Sequence, residues 1–243
     1  MSTDELTGAT GEKRPPNLPL RPDQLISLAR GFAWMGWGLL ATFLLLLGLL
    51  EWHLPRLLAG LPSYAIGATL TLFGGMLWWR AAEQTRPWQR HARLAVALAA
   101  LQIYFAPFVR WWRHDLNDIQ LYLNSMALPA CLMLLAWTLA RQAEETGRML
   151  ADHALVTEAR LGRRTLILPV LALTMLLAAY ETAVLADMPL PKPISVALPG
   201  MAMPPWLMAA YLGAISMTVS LCWRATHACH HALVQSAKLS GKS

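Results

Sequence analysis

Long uncharged stretches of apolar residues alternate with short polar segments along most of the chain. A helix needs about 20 apolar residues to cross the hydrocarbon of a bilayer, because lipid offers the backbone no hydrogen-bond partner. Six stretches approach or reach that length, and the third does so only if Arg110 extends towards the headgroups. The pattern therefore predicts an all-α fold, a bundle of six transmembrane helices over residues 31–52, 61–79, 94–112, 119–140, 165–186 and 205–223.

Composition and the placement of charge agree with a membrane protein. Charged residues make up 14% and hydrophobic residues 56% of the 243 residues, whereas a soluble domain is usually about 25% charged. The net charge of +6 would suggest nucleic acid as the partner of a soluble protein. Here the basic residues lie between the apolar stretches, so the predicted partners are the lipid bilayer and its anionic headgroups, and not nucleic acid.

Polar segments flank the predicted bundle and indicate its orientation. Residues 1–22 lack the apolar core of a secretory signal and are predicted to be a disordered tail. Residues 23–232 then form the transmembrane domain, and residues 233–243 a second tail. Sixteen Lys and Arg residues lie on the side of the two tails and four on the other side. This asymmetry predicts a multi-pass protein of a bacterial-type inner membrane with both termini in the cytoplasm.

Two connections are longer than turns. Residues 141–164 contain no proline and place Glu144 four residues before Arg148, so the fourth helix is predicted to continue into the cytoplasm. An apolar stripe on that extension comprises Leu139, Ala143, Leu150, Ala154 and Leu161. Residues 188–205 contain six prolines and almost no charge, which predicts an extended outer loop on the membrane surface or against the bundle.

Small residues recur every fourth position in the second predicted helix, at Ser63, Gly67, Thr71 and Gly75. Such spacing makes a flat face on which another helix can pack closely. A substrate path along the same groove would need polar groups that the stripe lacks. We therefore predict a helix-packing face.

Prolines interrupt the third and fourth predicted helices at Pro107 and Pro129. Each removes a backbone hydrogen bond, and Gln120, Asn124 and Ser125 lie on the outer side of Pro129. Kinks combined with polar groups are typical of transporters, although they also occur at ordinary helix contacts. Transport is therefore an alternative function.

A polar cluster precedes the fourth predicted helix and comprises Arg113, His114, Asp115 and Asp118. These residue types could perform acid–base or phosphate chemistry. They are also what the start of a helix requires, with Asp115 or Asn117 as the N-cap and Asp118 complementing the dipole, and this second interpretation is favoured.

Metal and cofactor sites are not predicted. No histidine lies deep in a predicted span, which excludes axial ligation of a b-type haem. His227 and His231 share a helix face, with Cys229 and His230 nearby, and could bind zinc or copper. A polar patch at the end of the sixth helix is the favoured interpretation, because no second half of a metal site is visible. The three cysteines imply no disulfide.

One pair of charges is predicted within the membrane. Glu181 and Arg110 each lie sixteen residues into a predicted span, about 24 Å along the helix axis. A carboxylate at that depth is costly unless it is paired, protonated or near water. The two side chains either form an ion pair or extend separately to the outer headgroups.

Three classes of function remain open. The absence of enzyme signatures, together with the small-residue face, favours a non-catalytic accessory, assembly or scaffold component of a membrane complex, with a membrane-protein partner or as a homo-oligomer. The alternatives are a small-solute or lipid transporter or channel, and a lipid-active membrane enzyme that uses the cluster from Arg113 to Asp118.

Overall fold

The computed structural model describes residues 20–46, 64–81, 86–114, 118–168, 170–171, 175 and 205–240. Within these ranges the chain forms six α-helices and no strand, so the all-α class is confirmed. The helices are α1 (Pro22–Leu46), α2 (Tyr64–Ala81), α3 (Arg86–His114), α4 (Ile119–Met149), α5 (His153–Thr165) and α6 (Pro205–Ser240).

Two segments of these helices, Pro22–Leu45 and Trp88–Phe108, are long and apolar enough to cross a membrane. Their mean hydropathies are 1.3 and 1.2. The same criterion admits the core helix of a soluble protein. It therefore supports membrane association without fixing the number of spans.

The helices pack in a ring. α1 lies against α2 and α6, α2 against α3, α3 against α4, and α4 against α6, while α5 bridges α4 and α6. Large apolar side chains such as Phe32, Trp78, Trp88 and Leu132 are buried between them. Phe32 and Trp78 meet edge to face, with ring centroids 4.5 Å apart. The ring thus joins helices from the beginning, middle and end of the chain.

The α1–α2 contact depends on two pairs of glycines. Gly38 faces Gly67, and Gly31 faces Gly74, so the paired positions are seven residues apart on each antiparallel helix. A Cβ on Gly67 would lie 2.7 Å from the Gly38 carbonyl oxygen, and one on Gly74 would lie 2.8 Å from that of Gly31. No side chain fits at such distances, so the two backbones touch.

Two threonines complete this contact. Thr42 Oγ1 donates to the Gly38 carbonyl at 2.9 Å, and Thr71 Oγ1 donates to the Gly67 carbonyl at 2.9 Å. Each hydroxyl is satisfied within its own helix, as is common for threonine in apolar helices. The threonines can therefore be buried at the contact without an unpaired hydroxyl.

The predicted small-residue face divides between two neighbours. Gly67 and Thr71 lie against α1, but a Cβ on Gly75 would meet Val96 of α3 at 3.0 Å. The position that continues the face towards α1 is Gly74, three residues after Thr71, because helical neighbours alternate between three and four residues apart. Ser63 lies outside the described residues.

A turn interrupts the helical extension predicted beyond residue 140. α4 continues to Met149, as expected, but Ala151 has a φ of 56° and the chain reverses. Asp152 N donates to the Gly147 carbonyl at 2.8 Å, the bond that closes a Schellman motif. The prediction of one continuous stripe was wrong because the turn separates Leu150 from Leu161, which is exposed on α5.

Asp152 also begins α5. Its carboxylate accepts a hydrogen bond from the backbone N–H of Leu155 at 3.0 Å and so acts as the N-cap. On the buried side of α5, Leu155, Ala159 and Gly162 pack inwards. A Cβ on Gly162 would meet Leu221 of α6 at 2.6 Å. The turn and this small residue bring α5 close to α6.

Candidate functional site

Charged side chains gather where α4, α5 and α6 meet, and Glu144 lies at their centre. Its side chain is 1% exposed and interacts with three arginines. Arg148 lies one turn later on α4 and pairs with Oε1. Arg160 Nε of α5 donates to Oε1 at 3.1 Å, and Arg163 Nη2 lies 2.5 Å from Oε2. We call this set the Glu144 cluster.

The arginines keep Glu144 ionised. Burial alone would raise the pKa of this carboxyl. The hydrogen bond from Arg160 and the charges of Arg163 and Arg148 outweigh that effect, and the pKa is held below its ordinary value of 4.5. A buried carboxylate is costly unless it is paired in this way. The cluster therefore attaches α5 to α4 by charge.

A second set of polar contacts joins α3 to α4. Glu145 Oε1 lies 3.3 Å from His91 Nε2 and 3.5 Å from Arg141 Nε. Because Glu144 and Glu145 are adjacent, their side chains leave α4 in different directions, one towards α5 and the other towards α3. Two consecutive carboxylates thus connect three helices.

Arginines also lie over tryptophan rings at this end. The guanidinium carbon of Arg163 is 5.9 Å from the centroid of Trp137, and that of Arg93 is 5.7 Å from Trp79. Such contacts are favourable because the face of an indole ring is electron-rich. Both tryptophans are about two-fifths exposed, so the rings and cations share the surface.

α5 and α6 are joined by Glu158 and Arg224, whose Oε1 and Nη1 atoms form an ion pair. Next to this pair is a cavity of about 480 Å³ between the α4–α5 turn and α6. Its lining comprises Leu150, Ala151, Asp152, His153, Arg224, His227, Ala228, His231, Ala232 and Gln235. We call it the histidine cavity. Three imidazoles from two helices therefore line one space.

The structure separates the histidines considered as metal ligands. His227 and His231 line the histidine cavity, His230 does not, and Cys229 is buried. Within the described ranges, no three histidine, cysteine or acidic side chains are placed to hold one metal ion. The three cysteines are free and buried. The new neighbour is His153, which the sequence could not place beside α6.

Two glutamines are buried without hydrogen bonds among the described residues. Gln102 of α3 and Gln142 of α4 each leave both amide atoms unpaired. The buried hydroxyl of Tyr211 is unpaired in the same sense. A buried polar group without a partner is unfavourable, so these groups are candidates for bound water or another molecule.

The predicted outer cluster is only partly described. Asp118 is the N-cap of α4 and accepts from the backbone N–H groups of Gln120 at 2.8 Å and Leu121 at 3.0 Å. The cluster therefore supplies the start of the helix, as favoured, but the N-cap is Asp118 and not Asp115 or Asn117, because the helix begins only at Ile119. The side chains of Arg113 and His114 are not described, and Asp115 lies outside the described residues, so the acid–base or phosphate chemistry considered for this cluster stays a prediction.

Among the other residues that the sequence singled out, some are described by the structure and some are not. Asn124 Nδ2 donates to the Gln120 carbonyl at 2.9 Å within α4, and Gln120 is exposed. The side chain of Ser125 is not described. Glu181 lies outside the described residues and the Arg110 side chain is not described, so their pairing stays a prediction.

Sequence reasoning missed the Glu144 cluster as a site. Glu144 and Arg148 were visible as a pair four residues apart, and Arg160 and Arg163 share one face of the next helix. The signal that could have joined them is Asp152, which is an N-cap residue type followed by an amphipathic helix. A helix that begins after a turn at Asp152 can run back along α4. Its residues Arg160 and Arg163 can then reach Glu144.

Comparison with known proteins gives no relative: no family model, no curated protein and no solved structure matches this chain.

Proposed function

We propose that this chain is a non-catalytic accessory, assembly or scaffold component of a membrane complex. In this proposal the bundle crosses the bacterial-type inner membrane six times, with both termini and the Glu144 cluster on the cytoplasmic side. The observation that carries the proposal is the surface of α5. Its buried side is fixed by the Glu144 cluster and Gly162, while Leu161 and Arg164 are exposed on the outer side.

A fixed helix with arginine and leucine on its outer face suits an anionic partner. Basic amphipathic helices bind anionic lipid headgroups through arginine and the headgroup boundary through apolar side chains. The same face could bind an acidic segment of a neighbouring membrane protein. Because α5 is held in place before binding, little conformational entropy would be lost on assembly.

The outward side chains of the long helices support insertion in a bilayer. Large apolar residues are exposed along them, including Trp34, Phe73, Leu101, Tyr104 and Leu134. Contact with lipid tails would remove these side chains from water. Trp79, Trp137 and Trp223 are exposed near Arg80, Arg141 and Arg224, where membrane proteins place tryptophan at the headgroup level.

The proposal can be tested by purification from native membranes with charge-reversed variants. Arg164→Glu changes the outer face of α5, and Arg30→Glu makes the same change at an exposed position of α1. We expect a defined set of chains to co-purify with the wild type and with Arg30→Glu. Their yield should fall several-fold with Arg164→Glu, because each arginine near an anionic surface contributes about 1 kcal/mol. Equal yields from all three proteins would contradict the proposal.

Transport is a second candidate, and Gln102 is the observation that favours it. This buried amide lies five residues before Pro107 in α3, where the proline removes the backbone donor to the Ile103 carbonyl. An unpaired amide and a free carbonyl close together are typical of a solute pathway. Solute flux in reconstituted vesicles that is lost in Gln102→Leu would favour transport over the scaffold proposal.

A further inference from the structure

The histidine cavity has no part in the proposed scaffold function, and five of its ten lining residues carry a side-chain hydrogen-bond donor. Its volume of about 480 Å³ lies within the range of small-molecule sites, about 300–1,000 Å³. Arg224, His227, His231 and Gln235 follow one another at three- and four-residue spacing, so they share one face of α6. His153 enters from the start of α5 on the other side.

The imidazoles of this cavity differ from that of His91 in their hydrogen-bond partners. His91 has Glu145 as its partner. In the part of the chain that the structure describes, the side chains of His153, His227 and His231 form no hydrogen bond or ion pair. The guanidinium of Arg224 uses Nη1 for Glu158, which leaves its other N–H groups facing no described acceptor. The cavity therefore collects donors that have no acceptor.

Two acidic groups are nearby, and both are engaged. Asp152 accepts the backbone N–H of Leu155, and Glu158 pairs with Arg224. Each therefore has one oxygen engaged, and the unengaged N–H groups of Arg224 and the three imidazoles outnumber the carboxylate oxygens that remain. The lining thus has capacity for an anionic acceptor.

We propose that the histidine cavity binds the phosphate group of a phosphate-bearing ligand. The phosphate oxygens would accept hydrogen bonds from the imidazoles of His227 and His231, from His153 across the cavity, and from the guanidinium of Arg224. Arginine matches phosphate geometry well, and hydrogen bonds to an ionised acceptor are about twice as strong as neutral ones. The rest of the ligand would contact Ala228, Ala232 and Gln235.

A metal ion fits this lining less well than a phosphate. No three ligating side chains in the described ranges are close enough together to hold one metal ion, whereas a phosphate is larger and reaches donors that lie farther apart. The guanidinium of Arg224 would in addition repel a divalent cation. Metal binding is therefore an alternative outcome of the test below.

The ligand could come from either of two sources. Arg224 directly follows Trp223, at the end of the sixth predicted span, where headgroups of the bilayer would lie. A phospholipid whose headgroup is a phosphate monoester could reach the cavity from the membrane, and a soluble phosphate ester could reach it from the water phase. Both present the same phosphate chemistry.

The test uses the full-length protein purified in detergent, the double variant His227→Ala/His231→Ala and the control His230→Ala. All three histidines are exposed on the same helix, but His230 does not line the cavity. Binding of inorganic phosphate and of glycerol phosphate is measured by calorimetry. Retention of phosphatidic acid is measured by native mass spectrometry after extraction from phosphatidylcholine bilayers with and without that lipid.

We expect the double variant to weaken binding at least about tenfold, as the loss of a charge-assisted hydrogen bond would, and His230→Ala to change it less than twofold. Retained phosphatidic acid without calorimetric binding would identify a lipid headgroup as the ligand. The opposite result would identify a soluble phosphate. Unchanged melting temperatures would show that all proteins are folded.

Three results would overturn the proposal. The first is no binding of any phosphate compound by the wild type. The second is equal weakening by His230→Ala and by the double variant. The third is tight binding of Zn²⁺ that the double variant loses while phosphate has no effect, which would make the cavity a metal site.

Discussion

The α1–α2 contact and the α4–α5–α6 end of the molecule join helices by different means. In the first, glycines let two backbones touch, and the threonine hydroxyls bond within their own helices. In the second, a buried carboxylate holds arginines from two helices. Backbone contact gains dispersion energy without desolvating charge, whereas the ion cluster must first offset the cost of burying its charges.

The two contacts therefore differ in how well they tolerate substitutions. The glycine contact has no room for additional atoms, so any side chain there must separate the helices. The Glu144 cluster has three cations for one carboxylate, and two of them, Arg148 and Arg160, are about half exposed. Losing one arginine leaves Glu144 partnered, but losing Glu144 leaves three like charges together.

The largest loss of stability is expected for a substitution at Gly67. Gly67→Leu would place a side chain against the backbone of α1, where even a Cβ would lie 2.7 Å from the Gly38 carbonyl oxygen. We expect a loss of about 3 kcal/mol or more, because overpacking against backbone cannot relax by a change of rotamer. Yield and melting temperature in detergent provide the measurement.

The matched control is Gly213 of α6, where an added Cβ meets nothing within 4 Å. Gly213→Leu should leave stability unchanged or raise it, since leucine favours helix more than glycine does. If Gly67→Leu were as stable as Gly213→Leu, the close contact of α1 and α2 would be refuted.

The next largest loss of stability is expected for a substitution in the Glu144 cluster. Glu144→Gln removes the only carboxylate that faces Arg160 and Arg163 in the described structure. We expect a loss of about 2 kcal/mol, less than for a fully buried pair because part of the arginine charge remains in water. Glu158→Gln is the control, since that carboxylate is 34% exposed and its pair with Arg224 is worth less than about 1 kcal/mol. Equal losses would mean that the cluster stabilises no more than a surface ion pair.

Acid should abolish the difference between the wild type and Glu144→Gln. The folded-state pKa of Glu144 lies below its ordinary value of 4.5, so its contribution is complete above 4.5. It is lost as the pH falls from there through the lowered pKa, because the proton favours the unfolded state. Melting temperatures of the two proteins between about pH 7 and pH 3 should converge at the acid end. A gap that persists throughout would show that the difference between the two proteins does not depend on ionisation of Glu144.

The smallest effect on stability is expected at Ala151, in the turn between α4 and α5, the two helices that carry the Glu144 cluster. Ala151 has a φ of 56°, a conformation that costs a residue with a Cβ about 1 kcal/mol and costs glycine little. Ala151→Gly should therefore raise stability by about 0.5 kcal/mol. Ala154→Gly, in the exposed first turn of α5, should lower it by a similar amount. Denaturant titration of both variants would decide, and a destabilised Ala151→Gly protein would contradict the left-handed turn.

These two regions also show how far the sequence predicts the structure. The regular spacing of Gly67 and Thr71 predicted a packing face, because such a pattern is local to one helix. The choice of Gly74 over Gly75 was not predicted, since it depends on how α2 is rotated between α1 and α3. The Glu144 cluster was missed because it requires a turn at Ala151, a residue type that rarely adopts a positive φ.

The central claim is that the Glu144 cluster and both termini lie on the cytoplasmic side of a six-span bundle. Reporter fusions measure this directly at position 243, near Arg86 at the start of α3, near Arg160 in α5, and after Arg56, His114 and Lys192. The account predicts that a reporter active only outside the membrane works after Arg56, His114 and Lys192 and fails at the other positions. A C-terminus on the periplasmic side, or periplasmic activity near Arg160, would contradict it.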